Sequence, residues 1–161
     1  PRAWVIQGYL GSLAASLDSP FDAVVAVNVL EHVEDDTAFL RAAYDALLPG
    51  GALLLFVPAL PNLFGTLDTA FGHHRRYSKS TLKDRITAAG FEDYSLRYVN
   101  GPGTLVWLLA GRVFRRKTLY EHGARFYDRW IMPVITRVER NWEPPVGQSI
   151  LVVAHKPKSF H

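Results

Sequence analysis

Two apolar runs, residues 23–29, in which Asn28 alone is polar, and residues 52–57, constrain most strongly how this chain can fold. Runs of this length are typical of strands that are buried on both faces of a parallel sheet. The stretch between them repeats apolar residues at the spacing of one helix face, Phe39, Leu40, Ala43, Tyr44 and Leu47. Strand, helix and strand in this order form a βαβ crossover, so the sequence predicts an α/β fold.

The helix between the two runs carries start and stop signals of its own. Asp35 or Asp36 is a suitable N-cap whose charge also fits the positive end of the helix dipole. Pro49, Gly50 and Gly51 are expected to end this helix and to turn the chain into the second strand.

The end of the first apolar run carries three polar residues, Asn28, Glu31 and His32. Ligands of open α/β sheets bind beyond the carboxyl ends of the strands, so these residues mark the rim of a ligand site. Glu31 and His32 have two interpretations from chemistry alone. The imidazole of His32 titrates near neutral pH and suits a general base, or both side chains hydrogen-bond the following loop as scaffold. We favour the scaffold.

The remaining pattern predicts further elements. We expect a strand at 4–8, an irregular segment from Pro58 to Tyr77, a helix that Ser78 caps and Gly90 ends, and strands at 91–99 and 149–154. Residues 100–148 form an insertion with two predicted helices, at 103–117 and 126–140, the second kinked at Pro133. The side chains of Trp107 and Trp130 are expected in the core.

Composition narrows the function classes. The 161 residues fit one domain, and the 48% hydrophobic and 20% charged content is ordinary for a globular protein. The absence of cysteine excludes disulfides, thiolate catalysis and cysteine-based zinc sites. We expect a cytoplasmic protein that binds no nucleic acid. The helix at 103–117 has an apolar body and a basic end, which suits either a core helix or peripheral membrane contact.

Four motifs resemble one known family in their order and spacing. They are Val29-Leu30-Glu31-His32-Val33, Leu48-Pro49-Gly50-Gly51, Gly72-His73-His74-Arg75-Arg76-Tyr77-Ser78 and Ala88-Ala89-Gly90-Phe91. Together they resemble the C-terminal part of a class I S-adenosylmethionine-dependent methyltransferase, which has a Rossmann-like α/β fold. The resemblance runs from about Val5 to Lys156 and implies S-adenosylmethionine as cofactor.

The glycine-rich GxGxG loop with which this family holds its cofactor has no counterpart here. Gly8 and Gly11 have the wrong spacing, and Gly101-Pro102-Gly103 follows the wrong elements. We therefore expect residues 1–161 to be a single partial domain that two βα units, roughly 60 residues, precede. We expect this fragment itself to be inactive and to bind the cofactor poorly.

The resemblance also assigns roles to residues. It implies a cofactor site at Tyr9, Leu10, Asn28, Val29 and Leu30, catalytic candidates at His32, His73 and His74, and substrate contacts at Arg75, Arg76 and Tyr77. Adjacent histidines of an extended chain point to opposite sides, so at most one of His73 and His74 is expected to act. Distant relatives of this fold bind a divalent metal with a carboxylate at the position of Asn28. The amide leaves too little negative charge, and we predict no metal.

The implied activity is methyl transfer to a small-molecule or lipid-linked acceptor, most simply at oxygen. Two alternatives stay open: a non-catalytic interaction module that retains the fold, and a different ligand such as NAD on the same sheet.

Overall fold

The computed structural model describes residues 7, 8, 10, 12, 21–109 and 121–158. Strands and helices alternate through most of this part of the chain, which confirms the α/β class. In chain order they are β1 (Phe21–Val27), α1 (Asp36–Ala46), β2 (Leu47–Pro58), α2 (Thr66–Ala70), α3 (Lys79–Ala88), β3 (Asp93–Val99), α4 (Gly101–Trp107), α5 (Glu121–Phe126), α6 (Met132–Glu139) and β4 (Ser149–His155). The strand predicted at 4–8 lies outside the described residues, except for residues 7 and 8, which are not in a strand.

The four strands form one sheet in the order β1-β2-β4-β3. β1 and β2 are parallel, whereas β4 runs antiparallel to both of its neighbours. The carboxyl ends of β1 and β2 therefore lie at the same edge, and Ser149 at the start of β4 pairs with Pro58 there. This edge is where a ligand site is expected in an open α/β sheet.

The main core lies on one face of this sheet. Alternate residues of the strands, such as Ala26, Leu55 and Val152, pack against helix residues that include Leu40 and Ile86. The prediction that both faces of β1 are buried is wrong for the described structure. Val25 is 64% exposed and Val27 is 57% exposed, because the described helices that build this core lie on the opposite face and β1 pairs with β2 alone among the described strands.

Capping chemistry places the helices as predicted. The Asp35 carboxylate accepts a hydrogen bond of 2.9 Å from the amide of Ala38 at the start of α1. The Ser78 hydroxyl accepts one of 3.1 Å from the amide of Thr81 at the start of α3. Gly90 follows α3 with φ of +104°, a conformation that glycine adopts without strain.

The predicted end of α1 at Pro49-Gly50-Gly51 is wrong. The helix ends at Ala46, and the three residues lie within β2, where the pairing with β1 is irregular between Phe21 and Ala23. The Lys156 ammonium group donates to the carbonyls of Tyr44 and Leu47 at 2.9 and 2.8 Å, and so satisfies the end of the helix.

The segment before Tyr77 is more regular than predicted, because it contains a 3-10 turn, Pro61–Leu63, and the helix α2. β3 also begins two residues later than expected, at Asp93.

The two helices of the insertion begin earlier than predicted, at Gly101 and Glu121, and residues 110–120 lie outside the described part. The distortion expected at Pro133 is a π-helical stretch just before it, Tyr127–Ile131. Trp107 is buried as predicted, but the core assignment of Trp130 is wrong, since this side chain is 62% exposed. None of the helices described is long and apolar enough to cross a bilayer.

Candidate active site

The chain leaves β1 through a tight turn that exposes polar groups. Asn28 has φ of +51°, and its amide donates to the carbonyl of Phe56 at 2.8 Å, which ties the turn to the end of β2. The side chains of Asn28 and Val29 are exposed, whereas that of Leu30 is completely buried in the core. The strand end therefore presents the side chains of Asn28 and Val29 to solvent, whereas the side chain of Leu30 belongs to the core.

The histidine loop, defined as residues 71–77, lies against this turn. The amide of His74 donates to the carbonyl of Glu31 at 2.8 Å, and the amide of Tyr77 donates to the carbonyl of Pro58 at 2.9 Å. These bonds hold the loop between the carboxyl ends of β1 and β2. The loop thereby comes to lie beside Glu31, although more than 40 residues separate Glu31 from His74 in the sequence.

Glu31, His32 and His73 form a cluster at this place, which we call the EHH cluster. The imidazole rings of His32 and His73 are 4.8 Å apart, edge to face, and His73 Nε2 lies 4.0 Å from Glu31 Oε1. Candidate metal-binding atoms of the three residues all lie within 4.8 Å of one another. The ring of His74 is exposed, so the structure brings His32 and His73 together and leaves His74 outside the cluster.

Glu31 is an unusual carboxylate. It is completely buried, and neither side-chain oxygen accepts a hydrogen bond in the described structure. Burial raises the pKa of Glu31, and its own backbone amide and the neighbouring imidazoles of His73 and His32 partly offset this effect. We favoured a scaffold role in which the Glu31 side chain hydrogen-bonds the following loop. In the structure, Glu31 bonds to the histidine loop through its backbone carbonyl and not through its side chain.

Asp68, which sequence reasoning missed, organises the far side of the cluster. One of its carboxylate oxygens accepts from His73 Nδ1 at 3.0 Å and from Arg76 Nε at 2.6 Å. The other accepts from the amide of Gly65 at 2.9 Å and from Trp107 Nε1 at 3.2 Å. The only local signal in the sequence is an acidic residue three positions after Gly65, as in a helix capping box.

The predicted substrate residues contact two carboxylates, since Arg76 bonds to Asp68 and both Arg75 and Tyr77 contact Asp36. Arg76 is buried, donates to the Ala59 carbonyl at 2.9 Å and stacks over Trp107 at 4.6 Å, whereas its Nη2 atom has no partner in the described structure. The Arg75 guanidinium lies 2.9 Å from Asp36 Oδ2.

Tyr77 is also buried, and its hydroxyl lies 2.9 Å from Asp36 Oδ2 and 3.2 Å from the Leu30 carbonyl oxygen. Of the remaining predicted site residues, Tyr9 lies outside the described part, and Leu10 packs against the core. The cofactor and substrate roles of all these residues stay predictions.

Comparison with known proteins gives a consistent result. A family model described as a methyltransferase domain matches residues 2–96. A probable S-adenosylmethionine-dependent methyltransferase of Mycolicibacterium smegmatis is 31% identical over 94 residues, which cover 57% of this chain and 36% of that protein. A ubiquinone biosynthesis O-methyltransferase of Idiomarina loihiensis is 31% identical over 98 residues, which cover 53% of this chain and 40% of that protein. The chain thus spans less than half the length of these curated relatives.

A solved structure shares the architecture. The crystal structure of an S-adenosylmethionine-dependent methyltransferase from Archaeoglobus fulgidus aligns with a TM-score of 0.56 over 94% of this chain and 66% of that one. At 17% sequence identity, this similarity establishes a common fold.

Proposed function

Because the chain belongs to the methyltransferase domain family, whose cofactor is S-adenosylmethionine, we propose that it is part of an enzyme that methylates a hydroxyl group of a small molecule. One observation carries the proposal: Asp68 holds Nδ1 of His73, which leaves Nε2 of this imidazole directed toward Glu31 at the strand-end edge. An imidazole held in one tautomer is suited to accept a proton from a bound hydroxyl.

The reaction needs little beyond alignment and deprotonation. S-adenosylmethionine supplies a methyl group that is already activated by the positive sulfonium. His73 Nε2 takes the proton of the acceptor hydroxyl as the oxygen forms its bond to the methyl carbon. The bond between sulfur and that carbon breaks, and its electron pair stays on the sulfur, which becomes a neutral thioether. Asn28 and Val29 at the end of β1 would line the cofactor side of the site.

The nature of the acceptor is supported by the curated relatives and by the insertion. The match to a ubiquinone biosynthesis O-methyltransferase favours an acceptor of the phenol or quinol type. Leu105 is 59% exposed and Val106 is 48% exposed in α4, so this helix presents apolar surface to solvent. Peripheral contact of the insertion with a membrane, and hence a lipid-linked acceptor, is consistent with this exposure. Co-sedimentation of the chain with anionic vesicles, lost in Val106→Glu, tests this contact.

Calorimetry and isotope transfer test the methylation itself. S-adenosylmethionine is titrated into the 161-residue chain and into the chain extended by its upstream coding sequence, and labelled methyl transfer to catechols and quinols is then measured. We expect binding by the extended form and a loss of about 100-fold or more in transfer rate for His73→Ala. His155→Ala is the matched control, since His155 lies at the opposite end of β4.

Two results would contradict this function. Absence of cofactor binding by either form would favour the interaction module. If His74→Ala greatly slowed methyl transfer and His73→Ala left the rate unchanged, the proton acceptor would be His74, which lies outside the EHH cluster.

A further inference from the structure

We propose that the EHH cluster, Glu31, His32 and His73, binds one divalent transition-metal ion. The geometry supports the site independently of the reaction, whereas the role of the ion described below rests on the proposed function. Two imidazoles and one carboxylate make a ligand set that proteins use for zinc and related ions. Their candidate ligand atoms already lie within 4.8 Å of one another.

The carboxylate of Glu31 is the first reason. It is buried and accepts no hydrogen bond from any of the described residues, although buried polar groups are almost always paired. A buried ionised group without a partner is strongly destabilising, and a cation placed between Glu31 and the two imidazoles would remove that cost.

The protonation of the two histidines is the second reason. His32 Nδ1 lies 3.1 Å from the Gly72 carbonyl oxygen, which can only accept a hydrogen bond, so Nδ1 carries the proton. His73 Nδ1 likewise lies 3.0 Å from the Asp68 carboxylate. With the proton on Nδ1, Nε2 is the nitrogen of each ring that can bind a metal ion. Histidines that bind metals typically donate their other ring N–H to a carbonyl or a carboxylate.

A direct ion pair explains the cluster less well. His73 Nε2 and Glu31 Oε1 are 4.0 Å apart, which is too long for a hydrogen bond between them. Two ligands that bind one ion at about 2.1 Å are separated by roughly 3–4 Å, so this spacing suits an ion between them. His32 is exposed and is therefore free to complete the site with a small rotation of its side chain.

The ligand types indicate which ions fit. Two nitrogen donors favour Zn²⁺ and related transition-metal ions such as Co²⁺ over Mg²⁺ and Ca²⁺, which prefer sites made of oxygen. Three protein ligands leave positions open for a phenol or catechol oxygen of the acceptor. With the ion bound, the pKa of that hydroxyl would be lowered and its proton would pass to water, so His73 would act as a ligand in place of the base role proposed above for the metal-free site. The sequence analysis predicted no metal because Asn28 stands where distant relatives have a carboxylate, whereas the site proposed here does not use Asn28.

Cobalt binding tests the site without any need for activity. Tag-free 161-residue chain, freed of metal with a chelator, is titrated with CoCl₂ and followed by visible absorption and calorimetry. We expect one ion per chain, displaced by Zn²⁺, and at least ten-fold weaker binding in Glu31→Gln and His73→Ala. Glu92→Gln and His155→Ala are the matched controls, since Glu92 is exposed, His155 is half-buried, and both lie outside the cluster.

Additional measurements decide the cases in which a variant does not fold. In the wild-type chain, cobalt bound at the cluster should give two strongly shifted imidazole N–H proton signals, one from each Nδ1. No cobalt or zinc binding at 100 µM by the wild-type chain would overturn the site, as would binding that His73→Ala leaves unchanged. Methyl transfer by the extended chain that survives chelation would overturn the role of the ion and leave the proposed methylation intact.

Discussion

Replacement of Tyr77 by phenylalanine isolates one buried hydroxyl group that joins the histidine loop to α1. The side chain is 1% exposed, and its hydroxyl lies 2.9 Å from Asp36 Oδ2 and 3.2 Å from the Leu30 carbonyl oxygen. A hydrogen bond to a charged group stabilises a protein by about 1.5–3 kcal/mol. We expect Tyr77→Phe to lower the free energy of unfolding at pH 7 by about 2 kcal/mol, which is roughly 4–8 °C in Tm for a chain of this size.

The same substitution should change how stability depends on pH. Burial raises the pKa of Tyr77 to about 12, from the ordinary value of 10.0. The folded chain holds this proton more tightly than the unfolded chain, so the contribution is complete below pH 10 and is lost as the pH rises toward 12. The shift corresponds to about 2.7 kcal/mol, so the gap between wild type and Tyr77→Phe should close as the pH rises through this range.

Urea denaturation followed by tryptophan fluorescence, at several pH values between 7 and 11.5, measures both effects. Tyr94→Phe is the matched control, because the Tyr94 hydroxyl makes a single long hydrogen bond of 3.4 Å, to Thr87 Oγ1, which is exposed to solvent. We expect this substitution to change the free energy of unfolding by no more than about 0.5 kcal/mol. Wild-type stability in Tyr77→Phe at pH 7, or a gap that stays constant from pH 9 to 11.5, would refute the reasoning.

Four further substitutions test the packing and the site. Gly51→Ala should destabilise the chain by about 1–3 kcal/mol in urea denaturation, because the new methyl group would lie 2.9 Å from a backbone oxygen. Gly123→Ala, in α5 where the described residues place no atom outside this helix's own backbone within 4 Å of the added methyl group, should be neutral or stabilising by up to about 1 kcal/mol. Phe91→Ala, at a fully buried core position, should cost about 3–5 kcal/mol and lower Tm accordingly. Asp68→Asn should lower the free energy of unfolding by about 3–5 kcal/mol, because the buried Arg76 loses its charged partner. It should also slow methyl transfer by the extended chain, because His73 loses its fixed tautomer. An unchanged rate would show that Asp68 does not contribute to the site.

The elements that the sequence predicts well are those that local rules decide. Asp35 and Ser78 cap their helices as expected, since an N-cap needs only a side-chain oxygen and an amide three residues away. The end of α1 was misplaced because its deciding contact is not local. The Lys156 ammonium group, 109 residues from Leu47, satisfies the final carbonyls, so the helix can end before the proline and glycines.

The candidate site was predictable only in part for the same reason. The strand-end rule located Asn28, Glu31 and His32, and the motif order drew attention to the histidine loop. Neither rule indicates that His73 approaches Glu31, since the 41 positions between them include α1, β2 and α2. The capping-box position of Asp68 indicates the start of a helix and not a site, and its contacts with His73 and Arg76 become visible only in the folded chain.

The contacts of Asp68 connect the insertion to the candidate site. Trp107 of α4 donates to the Asp68 carboxylate at 3.2 Å and stacks on the Arg76 guanidinium at 4.6 Å, while the same carboxylate holds His73. A displacement of α4 would therefore change the hydrogen bonding of the Asp68 carboxylate, which orients the His73 imidazole. This effect needs no direct contact between α4 and the EHH cluster. Since α4 also presents apolar side chains to solvent, a surface that engages this helix would act on the carboxylate that positions His73.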